Sequence, residues 1–382
     1  MIICDSSKCT GCGLCTAVCP VSAIEMKEDG QGFVHPVIDE KKCINCGLCK
    51  RKCIANNHFS NEDIKHVYAA CLSNTEELGE VSSGGVAYAV MKAFVDNGGV
   101  VYGAVADSIT HVIHKRAESP EDIKPMRRSK YLQSDITECL PMIKRDLEQG
   151  RKVLFTGVPC QIAAVKNLTD NADKLYTAEI VCHGVPSNLV FRKYIEDLEK
   201  ENNSRVTELV FRHKKYGWGD NHYGIYLENG KLIEERSTEN PFHSMYLEGI
   251  ISREACGNCD FSHCPRTADI VLADYWRYQG ELTEKSKGMG ISLVAGCTAK
   301  ADELIELAGR YLYIENSTIE LAKSSCRHLD NSPRVSRYRD AFMKDIISRR
   351  FLEARGRYII NGNNPVAVIK KVFREIRLHD NR

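Results

Sequence analysis

Cys9-Thr10-Gly11-Cys12-Gly13-Leu14-Cys15-Thr16-Ala17-Val18-Cys19-Pro20 and Cys43-Ile44-Asn45-Cys46-Gly47-Leu48-Cys49-Lys50-Arg51-Lys52-Cys53 carry one spacing twice, C-x2-C-x2-C-x3-C. Three cysteines in one short loop can grip three irons of a single cube, and the fourth cysteine of each run serves the other cube. The expected sets are therefore Cys9, Cys12, Cys15 and Cys53 for one 4Fe–4S cluster, and Cys43, Cys46, Cys49 and Cys19 for a second. Gly13 and Gly47 fall where the loop backbone must wrap closely, which a missing side chain permits. Zinc knuckles use four ligands per site and rarely this doubled tetrad. The second run ends in Ile54 where the first has Pro20, and Cys4 lies outside both tetrads, reading as a buried thiol. With short strands around a turn, one at Val34 to Ile38, residues 1–58 form a two-cluster ferredoxin-type domain.

Such a module carries electrons but transforms no substrate, so the rest of the 382 residues should hold the donor or acceptor. That length predicts two or three domains. A net charge of +1 gives no electrostatic case for a nucleic-acid partner. No apolar run reaches the roughly 18–20 residues of a membrane span, and the first residues lack the basic and apolar regions of a secretory signal. Eighteen cysteines, many at ligand spacing, in a long chain without a signal point to a reducing cytoplasm rather than a disulfide scaffold.

The body reads as α/β, with a mixed α+β C-terminal part. Ser82-Ser83-Gly84-Gly85 opens a nearly all-apolar helix, Val86 to Val95, followed by a strand at Val100 to Val105. Small residues and hydroxyls at a helix start can present N–H groups to a phosphate; an ordinary cap is the plainer reading. The basic, hydroxyl-rich stretch Ser129-Lys130-Tyr131 to Gln133 precedes a helix over 135–149 and suits a phosphorylated aromatic ligand or a solvated loop. Two strand–turn–helix units follow. Val153 to Thr156 leads through Gly157-Val158-Pro159-Cys160 to a helix from Gln161. Leu175 to Val181 leads through Cys182-His183-Gly184 to a helix over 188–201. Both turns lie at the carboxyl end of a strand expected to be parallel, where open α/β sheets bind ligands. A strand at Val206 to Arg212 and a hairpin turn at Glu228-Asn229-Gly230-Lys231 come next. Cys256, Cys259 and Cys264 then give C-x2-C-x4-C, ligands in search of a fourth: Cys182, Cys160 or, as a lesser candidate, His263. Spacing alone leaves zinc or a cluster open there. Cys71, Cys139, Cys297 and Cys326 read as core thiols. Residues 66–150, 151–335 and 336–382 are the expected further divisions. In the last, Val366, Ile369, Val372, Phe373 and Ile376 share one face of a basic amphipathic helix, which packs against the body or a second subunit, or rests on a membrane surface.

Together, Ser82 to Gly85, Ser129-Lys130-Tyr131, Gly157-Val158-Pro159-Cys160-Gln161, Cys182-His183-Gly184, Phe211-Arg212 to Gly217-Trp218, and Cys256 to Asp274 resemble the family of coenzyme F420 hydrogenase/dehydrogenase beta subunits. The chain departs from many relatives in having Ala273 before Asp274-Tyr275-Trp276. The resemblance implies FAD as well as iron–sulfur clusters. It implies a third 4Fe–4S cluster rather than zinc at Cys256, Cys259 and Cys264, for which Cys182 is the expected fourth ligand and Cys160 the reserve, and electron transfer between a hydride carrier and one-electron centres. Ser82, Ser83, Gly84, Gly85, Ser129, Lys130, Tyr131 and Gln133 are then the expected phosphate and cofactor contacts. Pro159, Cys160, Gln161 and His183 should lie near the reactive ring, with Trp218, Trp276 or Tyr131 able to stack on it. No nickel-site motif is present, so the chain itself is not expected to activate hydrogen. The function expected is an iron–sulfur flavoprotein oxidoreductase. The alternative is an electron-transfer subunit without its own substrate, serving a partner enzyme such as one of polysaccharide biosynthesis. Its partner would be a redox protein or a small hydride carrier, and a homo-oligomer or a place in a larger complex is compatible with either.

Overall fold

The structure, a computed structural model, describes residues 2–57, 61–219 and 221–358. In the N-terminal module Gly13 and Gly47 adopt positive φ (75° and 70°). Each opens a single helical turn, Leu14–Ala17 and Leu48–Arg51. A side chain is strained in that backbone, so the repeated glycine follows from the wrapped loop itself. Ile24–Glu28 pairs antiparallel with Val34–Ile38 to close the module.

Nine strands form the central sheet, in the order Leu312–Asn316, His66–Leu72, Ser292–Gly296, Ile270–Asp274, Leu175–Ile180, Val153–Gly157, Val100–Ser108, His111–Ala117, Ser134–Asp135. The four beginning at Val100, Val153, Leu175 and Ile270 run parallel. Their apolar runs, buried on both faces, are what a covered parallel sheet requires. Antiparallel neighbours flank them, so the sheet is mixed. It draws strands from both sides of residue 150, and residues from both sides share the same cores, so the division expected there runs through one sheet.

Helices Val86–Asp96 and Ala299–Gly309 cover one face, with Phe94, Ala89, Val294 and Leu304 in a single core. Helices Cys139–Glu148 and Pro159–Leu168 cover the other, and Leu14 and Ile54 of the ferredoxin module enter that same core beside Phe155, Leu140 and Ile162. Burying each is worth about 1.5–3 kcal/mol, so the module is docked rather than tethered. Polar contacts set its angle. Gln133 Nε2 donates to the Thr10 and Gly11 carbonyls at 2.9 and 3.1 Å. The buried Arg253 guanidinium donates to the Cys9 and Val34 carbonyls, each at 3.2 Å, and to Gln133 Oε1 at 2.9 Å.

A third layer joins helix Asn188–Asn202, an antiparallel sheet ordered Leu232–Arg236, His222–Leu227, Val206–His213, and helices Pro241–Leu247, Arg339–Ser348 and Phe351–Tyr358. Phe191, Tyr194, Phe211, Tyr223 and Phe242 form its aromatic core. The amphipathic stretch expected at Val366 to Ile376 lies outside the described residues. Among the described residues no helix is long and apolar enough to cross a membrane.

Arg266 and Glu179 make an ion pair with both side chains fully buried, and Arg266 Nη1 also donates to the Leu329 carbonyl at 3.0 Å. Removing one member leaves a buried charge without its partner, which costs about 3–5 kcal/mol. Glu179→Ala should lower unfolding free energy by that amount in a denaturant titration followed by circular dichroism; a loss below about 1 kcal/mol would show that the pair contributes no such constraint.

Candidate functional site

The two cysteine runs build two separate cavities. Cys9, Cys12, Cys15 and Cys53 line one, with Gly11, Gly13, Leu14, Met26 and Ile54. Cys43, Cys46, Cys49 and Cys19 line the other, with Ile24, Ile38 and Gly47. The fourth cysteine of each run thus lies in the cage of the opposite run. Cys4 also lines the first cavity. Burial pushes the Cys12 thiol up to about 11 and Cys15 higher still. Bound iron would supply the positive charge that keeps such buried sulfurs as thiolates. Cys46 of the second cage is exposed, whereas Cys9 and Cys15 of the first are buried, so the second cage opens toward solvent at Cys46 and the first lies further inward.

Further cysteines meet at the carboxyl edge of the central sheet. Cys160 follows strand Val153–Gly157 and Cys182 follows Leu175–Ile180, while the short helical segment Glu254–Asn258 brings Cys256, with Cys259 just beyond. After burial, the groups that act most strongly on Cys160 are Cys259, Cys182, Cys12 and Cys256, and all raise its pKa. Cys182 is likewise pushed up by burial first and then by Cys256. Cys160 and Cys259 share a core with Cys12 of the first cage. Cys264 is placed elsewhere: it packs against the core on the opposite face of the sheet, its Sγ 3.5 Å from the Leu329 carbonyl. Two residues later Arg266 exchanges a pair of 2.8 Å backbone hydrogen bonds with Glu62, which draws this end of the loop away. His263 faces Ser332 at 3.0 Å and the Asp330 carbonyl. The four-cysteine group is therefore Cys160, Cys182, Cys256 and Cys259. Among the described residues no three His, Cys, Asp or Glu side chains are placed to hold a single metal ion.

A crevice at the same edge gathers the other expected contacts. Strand His66–Leu72, antiparallel to both its neighbours, runs the same way as the four parallel strands, and Leu72 N donates to the Gly84 carbonyl at 2.8 Å. Helix Val86–Asp96 consequently starts at this edge. Ser82 Oγ accepts from Ser129 N and Oγ at 2.9 and 2.8 Å, tying together the two loops singled out above. Gly84 has a packing reason: a Cβ there would lie 2.3 Å from the Ala70 carbonyl. Lys130 donates to the Ala104 and Pro125 carbonyls, and Lys214 to those of Leu78 and Ser83. Burial, and then Arg128 and Arg212 respectively, pull each lysine down to about 7. Among the described residues neither forms an ion pair. Nearby, Arg127 Nε is buried without a partner.

Burial raises the Asp274 carboxyl, but Arg212 (2.6 Å), Trp218 Nε1 (3.0 Å) and Ser83 more than reverse this and hold it below the usual carboxylate range. Trp218 stacks on Trp276 with centroids 4.2 Å apart. Tyr131 instead packs edge-on into the aromatic core against Phe211 and His243. Burial, then the neighbouring His328 ring, keeps His183 neutral with its pKa down at about 4. Gln161 Oε1 accepts from Val158 N while Nε2 donates to Ser134, and Gln133 binds the ferredoxin loop, so both brace the edge. Pro159 opens helix Pro159–Leu168 at the same edge. Sequence reading passed over Lys214, since Arg212-His213-Lys214-Lys215 looks like a solvated basic run. Strand alternation, which sends every second residue to one face, was the available signal.

Residues 150–321 match the family model that describes the C terminus of the coenzyme F420 hydrogenase/dehydrogenase beta subunit. Residues 8–57 match the 4Fe–4S dicluster domain. One of the subunits of the F(420)H(2) dehydrogenase of Methanosarcina mazei is 22% identical over 268 residues, covering 66% of this chain and 71% of that protein. Among solved structures, a chain from the F420-reducing NiFe hydrogenase complex of Methanosarcina barkeri shares 20% identity, covers 80% of this chain and 96% of its own length, and superposes with a TM-score of 0.48.

Anaerobically purified protein should hold at least about eight irons with matching acid-labile sulfide, four for each N-terminal cage. Replacing Cys12 and Cys46 together by serine should remove most of that iron while circular dichroism of the body is retained. Zinc without sulfide in the wild-type protein would overturn the cluster assignment.

Proposed function

With residues 8–57 a 4Fe–4S dicluster domain and residues 150–321 in the family of coenzyme F420 hydrogenase/dehydrogenase beta subunits, we propose that this chain is an iron–sulfur flavoprotein oxidoreductase. It would exchange electrons between a hydride-type donor or acceptor and its clusters. The observation that carries this reading is the position of Cys160, which packs on the same core as Cys12 of the first cage and is close enough to Cys182, Cys256 and Cys259 for each to act on its thiol. Cys15 of the first cage and Cys49 of the second share a small core, so the cysteine groups follow one another from exposed Cys46 toward the crevice.

The crevice residues fit FAD. A buried ammonium (Lys214) and a half-buried one (Lys130), both bonded only to carbonyls, and the orphaned Arg127 Nε favour an anion such as a pyrophosphate. Lys130 and Lys214 would hold the phosphates, and helix Val86–Asp96 points its first N–H groups, which lack internal partners, to the same edge. A bound flavin supplies chemistry that accepts two electrons as a hydride and releases them singly. Arg212 and Asp274 fix Trp218 at the mouth, and neutral His183 can offer a ring N–H as a hydrogen-bond donor. Cys160, Cys182, Cys256 and Cys259 would hold a third 4Fe–4S cluster, in place of the set with Cys264 expected from spacing. The exposed second cage also supports a second reading, an electron-transfer subunit serving a partner without its own substrate. Hydride-dependent reduction of the clusters by the isolated, flavin-loaded chain separates the two.

Two outcomes test the cofactors. Cys160→Ala and Cys259→Ala should each lose about four irons relative to wild type, whereas Cys264→Ala should keep them; loss with Cys264→Ala alone restores the spacing-based set. Lys130→Ala should lower flavin occupancy, read near 450 nm, with iron unchanged. The pH dependence has a definite sign. In the free protein both lysines lose their protons as pH rises through about 7. A bound pyrophosphate favours the charged forms, so binding above that pH must take up protons. FAD affinity should therefore fall between pH 7 and 9, by up to about tenfold per pH unit for each lysine. Affinity that is flat or rises with pH in a fluorescence titration would show that the lysines do not bind the phosphates.

A further inference from the structure

The first N-terminal cage contains one thiol more than a cube requires. A cysteine-bound 4Fe–4S cluster takes four thiolates. Cys4 lines the same cavity as Cys9, Cys12, Cys15 and Cys53, whereas the lining of the second cavity contains only Cys19, Cys43, Cys46 and Cys49. Within the first, the groups that act most strongly on the Cys4 thiol are two of the four, Cys53 and Cys9. The segment that carries it is anchored on both sides. Ile3 is buried in a small core with Cys15 and Cys49, and Asn56 Nδ2 donates to its carbonyl at 2.9 Å. Asp5 accepts from Ser7 N at 2.9 Å and caps the turn Ser6–Lys8, which packs against Glu254–Asn258. Cys4 is thus held at the cage by structure on either side of it, and Asn56 couples that position to the run that delivers Cys53.

We propose that Cys4 is a reserve ligand of the first cluster, able to take over the iron of Cys9 or Cys53. The exchange balances without a redox partner. The iron–sulfur bond to the outgoing cysteine breaks and one to Cys4 forms. The proton leaving Cys4 passes to the departing thiolate, and no electron moves. Cys12 and Cys15 have no such substitute, nor does any ligand of the second cage. The inference rests on the dicluster assignment, and wild-type protein without acid-labile sulfide would remove that assignment rather than this addition to it.

The test measures iron, acid-labile sulfide and the electron paramagnetic resonance spectrum of the dithionite-reduced full-length protein. The variants are Cys4→Ala, Cys9→Ala, Cys53→Ala, Cys4→Ala with Cys53→Ala, and Cys43→Ala. Each single change at Cys4, Cys9 or Cys53 should retain wild-type iron, with shifted g-values for Cys9→Ala and Cys53→Ala only. The double variant should lose about four irons, and Cys43→Ala should lose its cube despite being a single change. The second cage's own signal reports folding of the module in the first four variants. Equal iron loss in Cys53→Ala and in the double variant overturns the proposal. So does loss of the first cluster in Cys4→Ala alone, which would make Cys4 an obligatory ligand.

Discussion

Arg253 is the residue through which the cysteine groups are held in register. Its side chain is 2% exposed and reaches the Cys9 carbonyl in the first cage, the Val34 carbonyl in the ferredoxin hairpin and the Gln133 amide of the body. Its own backbone N–H donates to Val185, three residues beyond Cys182, and its carbonyl accepts from Cys256 N. One guanidinium therefore fixes the first cage relative to the four-cysteine group. Five donors in a rigid fork suit that task, which a lysine could not copy. Burial lowers its pKa, against the opposing pull of Cys256, Cys9 and Cys160. A cation fixed among sulfurs also offsets the negative charge that thiolate-bound clusters carry.

The N-terminal cages were legible from the chain alone because their ligands are local: intervals of two or three residues between successive cysteines leave a loop few ways to fold around one cube. The parallel strands at Val100, Val153 and Leu175 were legible as largely apolar runs. The flanking strands His66–Leu72 and His111–Ala117 were harder, since partly exposed sequences such as His-Val-Ile-His-Lys-Arg carry no clean period. Helix 135–149 was expected four residues early because Ser134–Asp135 pairs with the sheet edge before the helix begins at Cys139.

At the crevice and the four-cysteine group, spacing was a poorer guide than topology. C-x2-C-x4-C suggested that Cys264 belongs with Cys256 and Cys259, yet backbone pairing of Arg266 with Glu62 takes it to another core. Cys160 and Cys182, remote in sequence, meet because two parallel strands end side by side. The glycines before helix Val86–Asp96 drew a phosphate reading, whereas at Gly84 the excluded side chain would strike a strand carbonyl. Lys130 and Lys214 carry the electrostatic case, and for Lys214 that needed the fold. Sequence motifs of this kind report which residues reach an edge; the sheet determines which of them meet.

The stacked pair Trp218–Trp276 has an optical consequence. These are the two tryptophans of the whole chain. Intrinsic indole emission therefore arises from one place, the mouth of the crevice, with Arg212 lying over the Trp276 ring. Two indoles stacked this close couple their excited states, so the tryptophan contribution to the protein's circular dichroism comes from this one pair. Occupancy of the crevice, opening of its mouth and loosening of the Arg212–Asp274 clamp can all be followed spectroscopically in the unlabelled protein, without a chromophore being introduced.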